Sequence, residues 1–341
     1  MHYGTVKMMA GFAVCLACLA WSQETQPQEP ALSGGEVSNT NPPTKVPAGV
    51  ILVKGAWSSA SDSVTPVPEQ SRVTKGELSN PYFGMSYTLS PGLNKGPDGP
   101  PPSESGRYVL AHLRAADSHT GGMGSILIGA QDMFFTLLPA SNALQLVNYM
   151  KDNLQADYKL EEPPTPTKIA GRPFTFFAYW SPVAQLHWYV VATQIRCHAI
   201  EIVLSSRDTQ LLASLLRDLD RMTLPEEASP TAGTGGANFP VCMKDYARNE
   251  NILARVEPAF SEQRGNPVPV RIIINQKGKV RHIHFLSAFP EQAKAVTDAL
   301  LQWRFKPYMQ NGHAVEVETG IMFGRTPLPG SIQPIANGRS D

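Results

Sequence analysis

The stretch LQWRFKPYMQNGHAVEVETGIMF, residues 301–323, contains the strongest local signals for the fold. Within it, every second residue from Val315 to Phe323 is apolar or β-branched, and a period of two predicts a strand with one buried face. The pair Asn311-Gly312 before this strand is typical of a tight hairpin turn, because both residue types tolerate a positive φ. The stretch therefore predicts a hairpin that ends in a long final strand.

The residues before this stretch predict a helix packed on a small antiparallel sheet. Residues 268–274 alternate as a strand, residues 275–278 form a turn, and residues 280–286 return as a second strand. From Pro290, which suits the first turn of a helix, apolar side chains follow at spacings of three and four. The predicted order of the unit is strand, strand, helix, strand, strand. The apolar helix face consists of Ala293, Val296, Leu300 and Trp303.

The N-terminal half predicts a second unit, with strands, a helix, further strands and a further helix. Ser141 is predicted to cap the first helix, and the proline-rich residues 161–166 are predicted to break the chain after it. This order is typical of antiparallel sheets covered by helices. The predicted fold class is therefore α+β, in two domains, each an antiparallel sheet with helices packed on one face.

Composition predicts where these domains begin and end. Residues 49–223 form the N-terminal domain, residues 224–238 are a linker rich in Gly, Pro and Ser, and residues 239–327 form the C-terminal domain. Residues 23–48 and 328–341 are predicted to be disordered tails, because polar segments of this kind bury too little apolar surface to offset their chain entropy.

The N-terminus predicts a signal peptide over residues 1–22. Lys7 gives a positive start, and residues 8–21 are uncharged and mostly apolar. This run is shorter than the roughly 20 residues of a membrane-spanning helix, and small residues at Ala20 and Ser22 predict cleavage after Ser22. Two alternatives stay open, an uncleaved anchor and a lipoprotein attached through Cys18.

Charge and motifs argue against several classes of function. The chain has 29 basic and 29 acidic residues, without a run of four Lys or Arg, so neither a nucleic-acid surface nor an anionic-membrane patch is predicted. The sequence contains no His-Glu-x-x-His, Gly-x-Ser-x-Gly or phosphate-binding Gly-x-x-x-x-Gly-Lys pattern. We therefore predict no catalytic residues, no cofactor and no metal.

Two residue pairs need separate interpretation. His282 and His284 lie two apart on a predicted strand and face the same side, and without a third ligand we expect them to face solvent or a partner. Cys197 and Cys242 remain after signal cleavage. They form either a disulfide in an oxidising compartment or two buried thiols, because the sequence does not give the distance that a disulfide requires.

Residues 240–325 resemble the TonB C-terminal domain. The resemblance rests on Val256-Glu257-Pro258, on Gly278-Lys279-Val280 and Ser287, on 301–307 at the helix end, and on 311–315 before the alternating strand. It implies a helix-on-sheet fold in the bacterial envelope, and binding of an extended transporter peptide by edge-strand pairing. This chain departs from the family in the predicted cleavage of its N-terminus, in the absence of a long spacer before the module, and in Ala259-Phe260, where the family has Tyr-Pro.

A weaker resemblance concerns the N-terminal domain. Residues 82–93, YFGMSYTLSPGL, are similar to the opening of PsbP-like domains. This resemblance implies a binding or scaffold role without a known chemistry.

Together these observations predict an exported cell-envelope protein, periplasmic or secreted, that is not an enzyme. We expect it to bind an envelope protein or extended peptide by edge-strand pairing, without nucleic acid or a small-molecule cofactor. An anchored TonB-family energy transducer and an envelope enzyme that uses a cleft in the N-terminal domain remain as alternatives. The predicted binding residues are Val315, Val317, Glu318, Thr319, Ile321 and Phe323.

Overall fold

The computed structural model describes residues 51–53, 56–58, 65–99, 105–116, 122–225, 239–260 and 266–324. All of them belong to one compact unit, Val46–Asp341. The predicted signal peptide and both predicted tails lie outside the described residues, as do positions 226–238 of the predicted linker. The proposed domain boundaries thus remain a prediction.

Three helices and 21 strands make up the described fold. The helices are α1 Ala143–Asp152, α2 Thr209–Asp218 and α3 Pro290–Leu300. The strands are β1 Ile51–Val53, β2 Ala56–Ser58, β3 Arg72–Thr74, β4 Glu77–Asn80, β5 Met85–Thr88, β6 Leu93–Lys95, β7 Arg107–Ala116, β8 Met123–Asp132, β9 Lys159–Ile169, β10 Arg172–Ser181, β11 Leu186–Ile195, β12 His198–Ser206, β13 Met222–Thr223, β14 Val241–Cys242, β15 Ile252–Ala254, β16 Val268–Ile274, β17 Val280–Phe285, β18 Arg304–Phe305, β19 Tyr308–Gln310, β20 His313–Val315 and β21 Val317–Phe323.

The predicted α+β class is confirmed, and its largest element is a seven-stranded antiparallel sheet of order β6-β7-β8-β12-β11-β10-β9. A four-stranded sheet of order β13-β5-β4-β3 packs with α2 on one face of it. The other face is covered by α1. Neighbouring residues on one strand, Phe176 and Phe177, accordingly belong to different cores. The prediction that the helices share one face is therefore wrong for this sheet, because both of its faces are apolar.

Two local predictions in this half need correction. The cap of α1 is Asn142, whose side chain accepts from the backbone N–H of Gln145 at 2.9 Å, and not Ser141. Residues 161–166, predicted as a chain break, lie within β9. Prolines are tolerated there because β9 is the edge of the sheet, where an outward position needs no backbone donor.

The C-terminal part folds in the order that the sequence predicts. Its sheet has the order β14-β21-β16-β17, and α3 covers one face, with Ala293, Val296 and Leu300 buried. Trp303 closes this core, and its indole N–H donates to the Val256 carbonyl at 2.7 Å. β19 and β20 form a separate two-stranded ribbon. Its turn has the predicted positive φ angles, 51° at Asn311 and 80° at Gly312.

Candidate functional site

The strand β21, predicted to be a free edge, is an interior strand of its sheet. It pairs with β16 along its length and with β14, in parallel, at Val317 and Glu318. The N–H of Val241 donates to the Glu316 carbonyl at 2.7 Å, and the N–H of Met243 donates to the Glu318 carbonyl at 3.0 Å. The predicted free edge is therefore wrong, because Val241 and Cys242, at the start of the predicted C-terminal domain, pair with this side of the strand at Val317 and Glu318.

The other predicted binding residues are also covered. Thr319 and Phe323 are buried with Val317 and Glu318, and Ile321 is half-buried. Val315 lies outside β21, in the ribbon strand β20, and is half-buried too. At Gly320, a Cβ would lie within 3 Å of the rings or side chains of Phe134 and Phe135. Since side chains project from the faces of a sheet, this close approach shows that the Phe134-Phe135 segment covers one face of β21 at Gly320.

The face of this sheet opposite α3 packs on the N-terminal half through charged side chains. Arg271, on β16, is 1% exposed and lies between two carboxylates. Its Nη1 donates to Asp132 at the end of β8, and its Nε donates to Glu318 Oε1 at 3.2 Å. Each buried charge thus has a partner of opposite sign, which offsets part of the cost of removing it from water.

Glu318 is the most strongly bound carboxylate of this group. Its Oε2 accepts from Arg196 Nη2 at 2.7 Å, and its Oε1 also accepts from the Tyr82 hydroxyl at 2.8 Å. Burial alone would raise the pKa of Glu318, but Arg196, Arg271 and the Tyr82 hydrogen bond lower it to about 2. The carboxylate is therefore ionised at neutral pH. Asp132, Arg196, Arg271 and Glu318 are called the interface ion network below.

Asp132 and His198 lie at the deepest part of the interface, and both are fully buried. Burial raises the pKa of Asp132, with Arg271 acting against it. Burial, with Arg271 and Arg196 nearby, holds the pKa of His198 well below its usual range. Neither ring nitrogen of His198 has a hydrogen-bond partner within the described residues, and its ring packs against Tyr82, among other aromatics. His198 is therefore a neutral, aromatic-packed side chain.

The side chains of His282 and His284 on β17 are also buried inside the protein. His282 and His284 are 3% and 2% exposed, so the prediction that they face solvent or a partner is wrong. His284 Nε2 donates to Glu69 Oε1 at 2.8 Å. On the same strand Arg281 pairs with Glu316 at 2.9 Å. The pair is buried because the segment that precedes β3 lies over this strand.

A disulfide joins the two halves beside the interface ion network. Cys197 follows β11 and is buried, and Cys242 lies on β14, with a Cα–Cα distance of 5.5 Å. Since β14 pairs with β21, the disulfide connects the C-terminal sheet to the β11–β12 turn. The adjacent residue His198 begins β12, so a single turn contributes both to the disulfide and to the buried interface.

The chemistry of this interface is that of charge pairing. Two guanidinium groups, those of Arg196 and Arg271, face the two carboxylates of Asp132 and Glu318. Within the described ranges, no group of three His, Cys, Asp or Glu side chains could hold a metal ion. The arrangement therefore fixes how the two sheets pack.

Sequence reasoning did not identify the interface ion network. Arg271 occupies the polar position of an otherwise apolar strand, and this is the one local signal for it. Its partner Asp132 is 139 residues away along the chain, and the pair Arg196–Glu318 is separated by 122 residues. No periodicity within one strand reveals such partners.

We expect the free energy of unfolding to decrease as the pH is lowered, because the unfolded chain binds a proton at His198 more readily than the folded protein does. Its pKa of 6.5 in the unfolded chain is lowered in the fold, so this contribution to stability is complete above pH 6.5 and is lost below it. The loss amounts to about 1.4 kcal/mol between pH 8 and pH 5.5. His198→Phe keeps the aromatic packing and removes the titration. Urea unfolding at both pH values measures the difference, and an equal acid loss in both proteins would contradict this assignment.

The C-terminal geometry defines a class of module. One helix packs on a small sheet whose turn between β16 and β17 contains Gly278. Trp303 closes the core under the helix, and Asn311-Gly312 forms the turn of the β19–β20 ribbon. Gly278 has a φ of 70°, and a Cβ there would collide with the Phe305 carbonyl, so the turn requires glycine. This is the helix-on-sheet form that the sequence resemblance implies.

Residues 259–324 match the family described as Gram-negative bacterial TonB protein C-terminal. The match confirms the predicted resemblance of this part of the chain. Domains of this family are envelope-associated, interact with proteins and are not enzymes. A comparison with curated proteins gives no match.

Part of the chain is similar to one solved structure. The chain is similar to the solution structure of cyanobacterial PsbP (CyanoP) from Synechocystis sp. PCC 6803, with 17% identity over 43% of this chain and 91% of that one. The TM-score is 0.30, and at this value the likeness says nothing about function. Among the described residues, no helix has both the length and the apolar character that crossing a membrane requires.

Proposed function

We propose that this chain is an exported cell-envelope protein that binds a protein or peptide partner and catalyses no reaction. The observation on which the proposal depends is the match of residues 259–324 to a family of protein-interacting envelope domains. The disulfide Cys197–Cys242 supports export, because such bonds form and persist in oxidising compartments. In this proposal the chain enters the periplasm or is secreted after cleavage behind Ser22.

The buried interface favours this binding role over energy transduction. A transducer of the TonB type needs a free strand edge for the transporter peptide. Here β14 pairs with that edge of β21 at Val317 and Glu318. The TonB-like sheet thus packs against other parts of the same chain. In this proposal the partner binds at another surface of the protein.

A cleft in the N-terminal half, lined by residues of β3 and β7, gives no support to an enzyme. His112 lines it together with three hydroxyl-bearing side chains, those of Ser71, Thr74 and Tyr108. His112 forms no side-chain hydrogen bond to any of them within the described residues, and Ser71 instead accepts from Asn80 at 2.8 Å. An activated nucleophile needs a base within hydrogen-bonding reach, and this cleft does not provide one.

Export is tested with alkaline phosphatase, which is active only outside the cytoplasm, fused behind the full chain. We expect an active fusion, and an inactive one when residues 1–22 are deleted. The mature protein is expected to start at Gln23 and to have no free thiols when unfolded without reductant. An inactive full-length fusion whose Cys197 and Cys242 label as thiols would contradict the proposal, and a membrane-bound product that starts at Met1 would favour the anchored alternative.

A further inference from the structure

Two short segments of the C-terminal module bring basic side chains together beside β17. Lys279, directly before β17, forms an antiparallel bridge with Arg304 of β18. Lys277 lies in the turn that leads to β17, and Lys306 directly follows β18. Because the residues come from two separate segments, the sequence contains no run of basic residues at this place. Lys277, Lys279, Arg304 and Lys306 are called the basic cluster below.

The side chains of the basic cluster lie on the solvent side of the module. Val280 and Phe305 are buried in the core under α3. Because successive residues of a strand face opposite ways, Lys279 and Arg304 point outward. Lys306 points outward as well, since the proline after it favours an extended backbone. The three lysines of the cluster are exposed and Arg304 is half-buried, so the cluster is an open surface.

The positive charge of this surface is not neutralised by nearby acidic side chains. Within the described residues, no member of the basic cluster forms an ion pair. Glu250 is an exposed carboxylate of the module without an ion pair, and it could balance only one of the cluster's charges. The other exposed carboxylates of the described module already pair with cations outside the cluster, namely Asp245 with Arg248, Glu257 with Arg255 and Asp298 with Lys294.

The position of these charges is unfavourable for the fold alone. Like charges directly opposite each other on paired strands destabilise a sheet, and Lys279 and Arg304 are placed in this way. The guanidinium of Arg304 donates to the carbonyls of Leu301 at 3.1 Å and Trp303 at 2.6 Å, and not to a carboxylate. A bound group of negative charge would relieve the repulsion.

The spacing of the basic cluster matches that of an extended peptide. In each of the two segments, 277–279 and 304–306, the two cations are separated by one residue. On an extended backbone, this separation places their side chains about 7 Å apart. Alternate side chains of an extended ligand peptide have the same spacing. Carboxylates at every second position of such a peptide would therefore face the cations in register.

Two exposed leucines adjoin the basic cluster. Leu301 is 43% exposed, and its carbonyl accepts from Arg304. Leu253 is 62% exposed and precedes Ala254, which pairs with Arg304 across β15 and β18. Protein interfaces combine apolar contacts with a polar rim, whereas binding to a phosphate backbone is mainly electrostatic. The surface is therefore better suited to a protein segment than to a nucleic acid.

From these observations we infer that the basic cluster binds an extended acidic segment of the protein partner, with carboxylates at every second position. The contacts are made by side chains, so no free sheet edge is required. This inference rests on the proposed function and gives its partner a docking surface. The surface lies beyond β17, at the opposite side of the sheet from β14.

The test uses purified protein and three acetylated, amidated octapeptides in NMR titrations at low salt. One peptide alternates Glu and Thr, one alternates Lys and Thr, and one has four Glu followed by four Thr. We expect the alternating Glu–Thr peptide to bind about tenfold more tightly than the Lys–Thr peptide, and more tightly than the block peptide of equal charge. The amide signals of Lys279 and Arg304 are expected to shift, and added salt to weaken binding.

Charge-reversal variants separate the basic cluster from general attraction. The double variant Lys279→Glu/Lys306→Glu is expected to lose binding of the Glu–Thr peptide. A matched change on β9, Lys168→Glu, reverses an exposed lysine elsewhere and is expected to leave binding unchanged. The single variant Lys279→Glu is also expected to unfold at a higher urea concentration, because it places opposite charges across the strand pair. A merely structural role of Lys279 would give a lower one.

Several results would overturn the inference. They are binding of no peptide, equal binding of the Glu–Thr and Lys–Thr peptides, and an equal loss of binding in Lys168→Glu. Phosphatidylglycerol vesicles and a single-stranded DNA are tested in parallel. Binding of either without binding of the Glu–Thr peptide would show that the cluster recognises phosphate, and would also overturn it. The export test does not involve the basic cluster, so failure here is distinguishable from failure of the proposed function.

Discussion

Replacing Arg271 with methionine is expected to destabilise the protein by about 3–5 kcal/mol, because the change leaves two buried carboxylates without their shared cation. Asp132 and Glu318 are 0% and 2% exposed, so water cannot take the place of the guanidinium. Arg196 still neutralises Glu318 in the variant, and Asp132 is left as the uncompensated charge. Urea unfolding at pH 7.5 measures the free energy of unfolding.

A matched variant on the next strand provides the control. Arg281 pairs with Glu316, and their side chains are 31% and 28% exposed. Arg281→Met is therefore expected to cost about 1 kcal/mol or less. Adding Asp132→Asn to Arg271→Met is expected to restore part of the lost stability, because it removes the unpaired charge. A loss for Arg271→Met no greater than for Arg281→Met would show that the interface ion network is not buried.

Removing the disulfide is expected to have an effect of similar size. Cys197 and Cys242 are separated by 45 residues, and closing a loop of this length in the unfolded chain corresponds to about 4 kcal/mol. The double variant Cys197→Ala/Cys242→Ala is therefore expected to unfold at a much lower urea concentration than the oxidised protein. The same unfolding measurement, made without reductant, gives the difference.

Reductant distinguishes loss of the disulfide from loss of packing. Dithiothreitol is expected to lower the stability of the natural protein to nearly that of the double variant, and to leave the double variant unchanged. If reductant has no effect on the natural protein, the two cysteines are not paired in solution. The account of how β14 is held would then be wrong.

Local periodicity explains why the C-terminal fold could be predicted. The apolar spacing after Pro290 predicts α3, and the Asn311-Gly312 pair predicts the ribbon turn, and both are present. Each signal lies within one element and depends on side chains a few residues apart. The α+β class follows from the same signals, since alternating segments and short amphipathic helices have few other arrangements.

The sheet edges could not be predicted in the same way. β14 consists of two residues, Val241 and Cys242, and a segment this short has no period. β9 contains three prolines, which indicate a break unless the strand is known to be an edge. Whether a strand is an edge depends on its neighbours in space, and the sequence of the strand alone does not specify them.

The interface ion network was missed for a related reason. A single charged residue within an apolar strand, such as Arg271, reads locally as a solvent-facing position. The fold instead brings Asp132 from β8 against it. A charge pair between distant strands can be predicted only when both faces of the sheet are known to be covered.

Amide hydrogen exchange at Glu318 tests the central claim, that the TonB-like sheet is closed by the chain itself, most directly. The N–H of Glu318 points away from β16, toward β14, because its carbonyl accepts from Met243 on that side. We expect exchange as slow as in the buried strand β16, whereas the amide of Val73, which points away from β4 on the last strand of its sheet, is expected to exchange rapidly. Rapid exchange at Glu318, at the rate of Val73, would mean that β21 is an open edge and would contradict the account.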